Sequence, residues 1–147
     1  EMCLACGIHM VLASGANPTI LDEILAGDAV GTFFEAREPA MRGRKYWITH
    51  HLAHKGTLVV DDGARAAIQS RGKSLLPGGI TAVQGNFAAG DGVDIAGPDG
   101  IAFARGITNY GREDLVQIAG KKSGEIAAIL GAESYDEVVH RDNLAML

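Results

Sequence analysis

The sequence predicts a mainly β fold with flanking helices, a small barrel-like unit preceded by a short α/β tail. Three observations carry this reading. Twenty glycines stand at intervals between short apolar runs, a spacing that implies many tight turns. Gly97-Pro98-Asp99-Gly100 lies between two strand-like segments and is a strong hairpin signal. Residues 1–36 alone alternate helix, strand, helix, strand, the rhythm of an α/β layer.

In the tail, Met2–Cys6 reads as the end of a helix, closed by Gly7. Ile8–Ala13 is an apolar run ending at Ser14-Gly15, as expected of a parallel strand buried on both faces. Asn17 can cap a helix with Pro18 at its first position. Ile20, Leu21, Ile24 and Leu25 then follow helical spacing up to Gly27. Val30–Phe34 reads as a second strand. A helix of about five residues does not stand alone in water, so residues 1–36 are expected to be the end of a larger α/β domain. The polar stretch Arg37–Arg44, with Pro39 and Gly43, opens a linker expected over residues 37–47.

Residues 48–147 are expected to hold the barrel unit and a C-terminal extension. Tyr46–Leu52 and Thr57–Val60 look strand-like. Asp62–Arg71 reads as a helix with Ala64, Ala67 and Ile68 on one face. Strands are expected at Ile80–Gln84, Gly92–Ala96 and Ile101–Thr108, helices at Arg112–Ala119 and Ser123–Leu130, and a last strand at Glu137–His140. The expected core is Leu58, Val60, Ile68, Leu75, Leu76, Ile80, Val83, Phe87, Val93, Ile95 and Ile107.

Composition narrows the function. A hydrophobic fraction of 47% is ordinary for a soluble domain, and no apolar run approaches the roughly 20 residues of a membrane-spanning helix. Glu1–Cys6 lacks the basic and apolar regions of a secretory signal. The cytoplasm is therefore the expected compartment, with no membrane partner. Cys3 and Cys6 form one CxxC pair without a second, so two small apolar residues on a helix face are expected rather than zinc ligands. The net charge of −5 hides a basic segment: Arg42–Lys73 carries seven cations (Arg42, Arg44, Lys45, Lys55, Arg65, Arg71, Lys73) against Asp61 and Asp62. Such a segment suits an anionic partner or a solvated face.

Other candidates read as structural. On a strand, His50 and His54 would share a face and His51 would point away, so the HHxxH cluster is expected to be exposed strand-end histidines. His140-Arg141-Asp142 has no matching nucleophile and is expected to be a buried ion pair holding the C-terminus. Gly90-Asp91-Gly92 lacks the lysine and following helix of a phosphate loop. Ser74 has no base positioned by sequence and reads as a cap or turn residue.

Lys73-Ser74-Leu75-Leu76-Pro77-Gly78-Gly79-Ile80, followed by Val83-Gln84-Gly85-Asn86-Phe87 and Gly90-Asp91, resembles the PUA domain signature. Gly78-Gly79 permits a sharp bend before the strand, Phe87 can plug one end of a barrel, and Gly90-Asp91 suits a tight turn. A wider set includes Val30-Gly31-Thr32-Phe33-Phe34, Trp47-Ile48, Val60-Asp61-Asp62-Gly63-Ala64, Ala104-Arg105-Gly106, Ser123-Gly124-Glu125-Ile126 and Val139-His140-Arg141-Asp142-Asn143. In that order these motifs resemble the bacterial glutamate 5-kinase family, from the end of its amino-acid-kinase domain through its PUA domain.

The resemblance implies a parent enzyme that uses ATP and Mg²⁺ to phosphorylate the γ-carboxylate of L-glutamate, the first step of proline biosynthesis. It implies no catalytic, cofactor-binding or metal-binding residue in this stretch, because the family's phosphate-binding lysine, glutamate loop and nucleotide motif have no counterpart here. The expected partners are the remaining kinase domain and a second copy of the chain, with RNA as the alternative for a stand-alone module. PUA domains generally bind RNA around the first helix and the following strand, which places the candidate RNA or partner surface at Arg65, Arg71, Lys73, Ser74, Gly78 and Gly79. Its cations suit phosphates, although few aromatics interleave to stack on bases.

Overall fold

The computed structural model describes residues 2–5, 7–36, 43–131 and 134–147. Cys6 and most of the expected linker, residues 37–42, lie outside them, as does Arg42 of the basic segment. The chain divides into two compact units, Glu1–Tyr46 and Trp47–Leu147.

The first unit contains helix α1 (Met2–Ala5), strand β1 (Met10–Leu12), helix α2 (Ile20–Ala26) and strand β2 (Thr32–Phe34). The alternation is as read, but β1 is not a buried parallel strand. It pairs antiparallel with β2, Val11 opposite Phe33, and Leu12 and Phe33 are exposed. Gly31, at φ 75°, presses against the Leu12 carbonyl where no Cβ fits, which admits the reversal. Asn17 is not the helix cap. It organises the approach instead: its Oδ1 accepts the Thr19 amide at 3.0 Å, and its Nδ2 donates to Glu23 at 3.0 Å. The helix then starts after Thr19 and ends on Gly27, whose φ is 88°.

The second unit is mainly β with flanking helices, as expected. Its elements are α3 (Gly43–His50, beginning in the first unit), β3 (His54–Val60), α4 (Asp62–Arg71), β4 (Ile80–Gly85), β5 (Gly92–Ala96), β6 (Ala102–Ile107), α5 (Arg112–Ile118), α6 (Ser123–Leu130) and β7 (Leu144–Met146). The sheet order is β4-β3-β5-β6-β7. Strands β3 and β5 run parallel, and the other described neighbours are antiparallel. The β5–β6 hairpin turns at Gly97–Gly100, where the Gly100 amide reaches the Gly97 carbonyl at 2.9 Å.

The largest correction concerns Tyr46–Leu52, read as a strand and folded mostly as α3. Strand propensity of aromatic and β-branched residues is a weak prior, and tertiary contacts override it here. Ile48 is fully buried, and Arg105 Nη1 donates to the Thr49 and Leu52 carbonyls at 3.4 and 3.3 Å. The expected linker residues Gly43–Tyr46 also belong to this helix. His50 thus ends a helix, His51 lies in the turn and His54 starts β3, so the strand-face reading of the cluster does not apply.

Glu137–His140 is likewise not a ladder strand. Val139 makes an isolated bridge to Leu75, a 3-10 turn at Arg141–Asn143 redirects the chain, and β7 pairs with β6 instead. Gly106 has no room for a Cβ beside Val139 and the Asn143 carbonyl, which lets this segment close on the sheet. The His140–Asp142 pair is not buried: the side chains are 41% and 73% exposed at 3.6 Å. His140 Nδ1 also accepts the Asp142 amide, so its lone pair is already engaged.

The core gathers Leu58, Val60, Ile68, Leu75, Ile80, Phe87, Val93 and Ile95 as expected. Leu76 is 45% exposed, because Leu75 and Leu76 point to opposite sides of an extended segment and Leu75 takes the inside. Val83 and Ile107 are half-buried. Phe103, Leu115, Ile118, Ile126, Val138 and Val139 also belong to the cluster, bringing both late helices and the C-terminal segment onto the sheet.

Candidate functional site

Helix α4 and the 3-10 turn at Pro77–Gly79 define the site. Asp61 caps α4, its Oδ1 accepting the Ala64 amide at 2.7 Å, while its own amide donates to the Gly79 carbonyl at 2.9 Å. The turn is thereby tied to the start of the helix. Gly79 lies so close to Ala64 that a Cβ would overlap the Ala64 methyl. A side chain there would push the turn off the helix. At the other end, Gly72 at φ 56° closes α4 with its amide on the Ile68 carbonyl.

Between them runs a groove of about 790 Å³. Ala64, Ala67, Leu76, Gly78 and Gly79 give it an apolar and backbone surface. Arg71, Lys73, His140 and Arg141 give it a basic wall, with Asp61 and Glu137 as its acidic groups. Of the six residues expected at the surface, the structure brings Arg71, Lys73, Ser74, Gly78 and Gly79 to this groove. Arg65 is elsewhere. Its Nη1 donates to Asp99 Oδ2 at 3.0 Å, and its guanidinium stands 5.5 Å from the centre of the Phe103 ring.

Ser74 is not a helix cap. Its hydroxyl oxygen accepts the Arg141 amide at 3.0 Å. This bond and the Leu75–Val139 bridge bring Glu137, His140 and Arg141 to the groove, a contribution that sequence reasoning missed. The signal was non-local: nothing near Arg141 indicates pairing with a loop sixty-seven residues earlier. Among the described residues, Arg71, Lys73 and Arg141 enter no ion pair; two of these cations stand at the end of α4 and the third comes from the C-terminal segment. The described residues contain no group of three His, Cys, Asp or Glu able to hold a metal ion, and no helix long and apolar enough to cross a membrane.

Residues 56–130 match the family model for the PUA domain. The chain belongs to the PUA domain family. The PUA match thus spans β3 to α6 and includes the groove's helix, turn and glycines. The chain as a whole is similar to proteins named glutamate 5-kinase. It is 46% identical to that of Synechococcus sp. (strain JA-2-3B'a(2-13)) over 147 residues, covering 100% of this chain and 40% of that protein. The protein from Geobacter sulfurreducens is 44% identical over 141 residues, covering 96% of this chain and 38% of that protein. The chain therefore spans about two-fifths of the length of these relatives, and it matches their C-terminal part. Among solved structures it is similar to a PUA domain from Aeropyrum pernix K1, with 22% identity and a TM-score of 0.42, covering 59% of this chain and 44% of that one.

Proposed function

We propose that this chain is the C-terminal auxiliary module of a cytoplasmic glutamate 5-kinase, joined to the kinase domain that performs the ATP-dependent phosphorylation of the γ-carboxylate of L-glutamate. One observation carries this reading above that of a stand-alone PUA module. Identity to the kinases extends over the whole chain, including the Glu1–Tyr46 unit, which lies outside the PUA match. On this reading residues 1–36 are the end of the amino-acid-kinase domain, and their exposed apolar side chains are covered by the rest of it or by a second copy. The described residues do not fit ATP and Mg²⁺: no acidic cluster and no phosphate loop is present. Both ligands are assigned to the remaining length of the enzyme, and no catalytic step is assigned to this chain. The test is to assay the polypeptide that carries this chain with ATP, Mg²⁺ and L-glutamate, trapping the acyl phosphate as its hydroxamate. Glutamate-dependent product supports the reading, and its absence from the folded protein overturns it.

The groove favours a second, compatible role. Arg71, Lys73 and Arg141, without an ion pair among the described residues, suit the phosphates of RNA. Binding that weakens steeply as salt rises would support it, and salt-independent or absent binding would overturn it.

A further inference from the structure

Helix α3 is built from residues that favour a strand. Tyr46, Trp47, Ile48 and Thr49 all carry β propensity, and an isolated helix of eight residues is too short to persist in water. Every helix also ends with carbonyls that lack partners within it. One carbonyl at the end of α3 and one just past it are met from the sheet. Arg105 Nη1 donates to the Thr49 and Leu52 carbonyls at 3.4 and 3.3 Å.

The guanidinium is itself fixed. Asp94 and Arg105 are directly opposite each other on β5 and β6. Arg105 Nε donates to Asp94 Oδ1 at 2.6 Å, and Nη2 donates to Oδ2 at 3.3 Å. The two side chains are only 12% and 16% exposed. The fork thus grips the carboxylate with two nitrogens and offers the third to the helix end. A lysine ammonium, a point charge on a flexible stem, cannot reproduce that division.

We propose that the Asp94–Arg105 pair is a latch that holds the end of α3 and the turn after it, residues 47–52, and that this segment opens separately from the sheet. Released, it gains the extended conformation that its residues favour. The way the chain enters the sheet is therefore set by a pair in a hairpin formed much later in the sequence.

The experiment is amide hydrogen exchange on the 147-residue chain. The reporters are His51 and Leu52, whose amides both donate to the Trp47 carbonyl. In the wild type these two amides should exchange through a local opening with little denaturant dependence, well before those of β5 and β6. In Arg105→Lys they should exchange about tenfold faster or more, the scale of losing charge-assisted hydrogen bonds, with the sheet amides unchanged. Trp47, the one tryptophan, should become more accessible to a quencher. Unchanged protection of His51 and Leu52 in a folded Arg105→Lys chain would overturn the latch. So would wild-type exchange of these amides only on global unfolding, a measurement that stands even if the variant fails to fold.

Discussion

The ring of Phe87 lies directly over Gly56, so that a Cβ at Gly56 would overlap two carbons of the ring. Phe87 is almost fully buried, and Gly56 sits in β3 opposite Gly85 of β4. Phe87→Ala should cost about 3–5 kcal/mol through lost burial and the cavity left behind. Gly56→Ala should cost about 1–3 kcal/mol by overpacking. Denaturant titration of both variants checks the pair. Wild-type stability for either would place the ring elsewhere.

The chain alone should show no glutamate kinase activity, because it spans about two-fifths of the kinases it resembles. Phosphorylation of L-glutamate by the purified 147-residue chain would refute the assignment of the reaction to the part of those kinases that this chain does not span.

Groove and non-groove cations should separate in RNA binding. Lys73→Ala and Arg141→Ala should each weaken binding and reduce the salt dependence by about one phosphate contact. Arg65→Ala should leave binding unchanged, since Arg65 is engaged with Asp99 and Phe103. Salt titrations of the three variants provide the comparison. A dominant effect of Arg65 would move the interface off the groove.

Two ion-paired carboxylates should make the loops acid-sensitive. The Lys55 ammonium and then the Ala88 amide hold Asp91 below its ordinary value of 3.8. The Ile101 amide and then Arg65 do the same for Asp99. A carboxyl depressed in the folded state contributes stability above its unfolded value and loses it as pH falls through the folded value. The melting temperatures of wild type and Asp91→Asn should therefore differ near neutrality and converge below pH 3.8. A constant gap across that range would show that the ionised form contributes nothing.

Self-association should depend on the Glu1–Tyr46 unit. Ile8, Leu12, Leu21, Leu25 and Phe33 are exposed there, and apolar area left in water forgoes about 25 cal/mol per Å². Sedimentation of the full chain should show a species heavier than a monomer, and the Trp47–Leu147 segment should be monomeric. Monomers in both cases would refute association through this unit.

What was legible in the sequence was what local chemistry decides. Helix α4 has the expected bounds because Asp61 and Gly72 cap it within its own neighbourhood. The β5–β6 hairpin follows from Gly97-Pro98-Asp99-Gly100 in the same way. Helix α3 was misread because contacts made there, among them those of Arg105 with the Thr49 and Leu52 carbonyls, come from a distant strand. Leu76 was misplaced because two adjacent leucines in an extended segment cannot both face inward. The separation of Arg65 from Arg71 was available in principle: six positions apart on one helix, they fall on different faces. Arg141 was not available, because long-range contacts, the Leu75–Val139 bridge and its own amide on Ser74, bring it to the groove.

That bridge also dictates an order of assembly. The helix, turn and glycines of the groove are made early, but one wall comes from Glu137, His140 and Arg141. During synthesis, a chain that has extended through β6 can hold its hairpins yet has no complete groove. The loop between Leu75 and Val139 must close late, and closure over long separations is slow relative to local pairing. A groove with all of its walls therefore exists only once nearly the whole unit has been made.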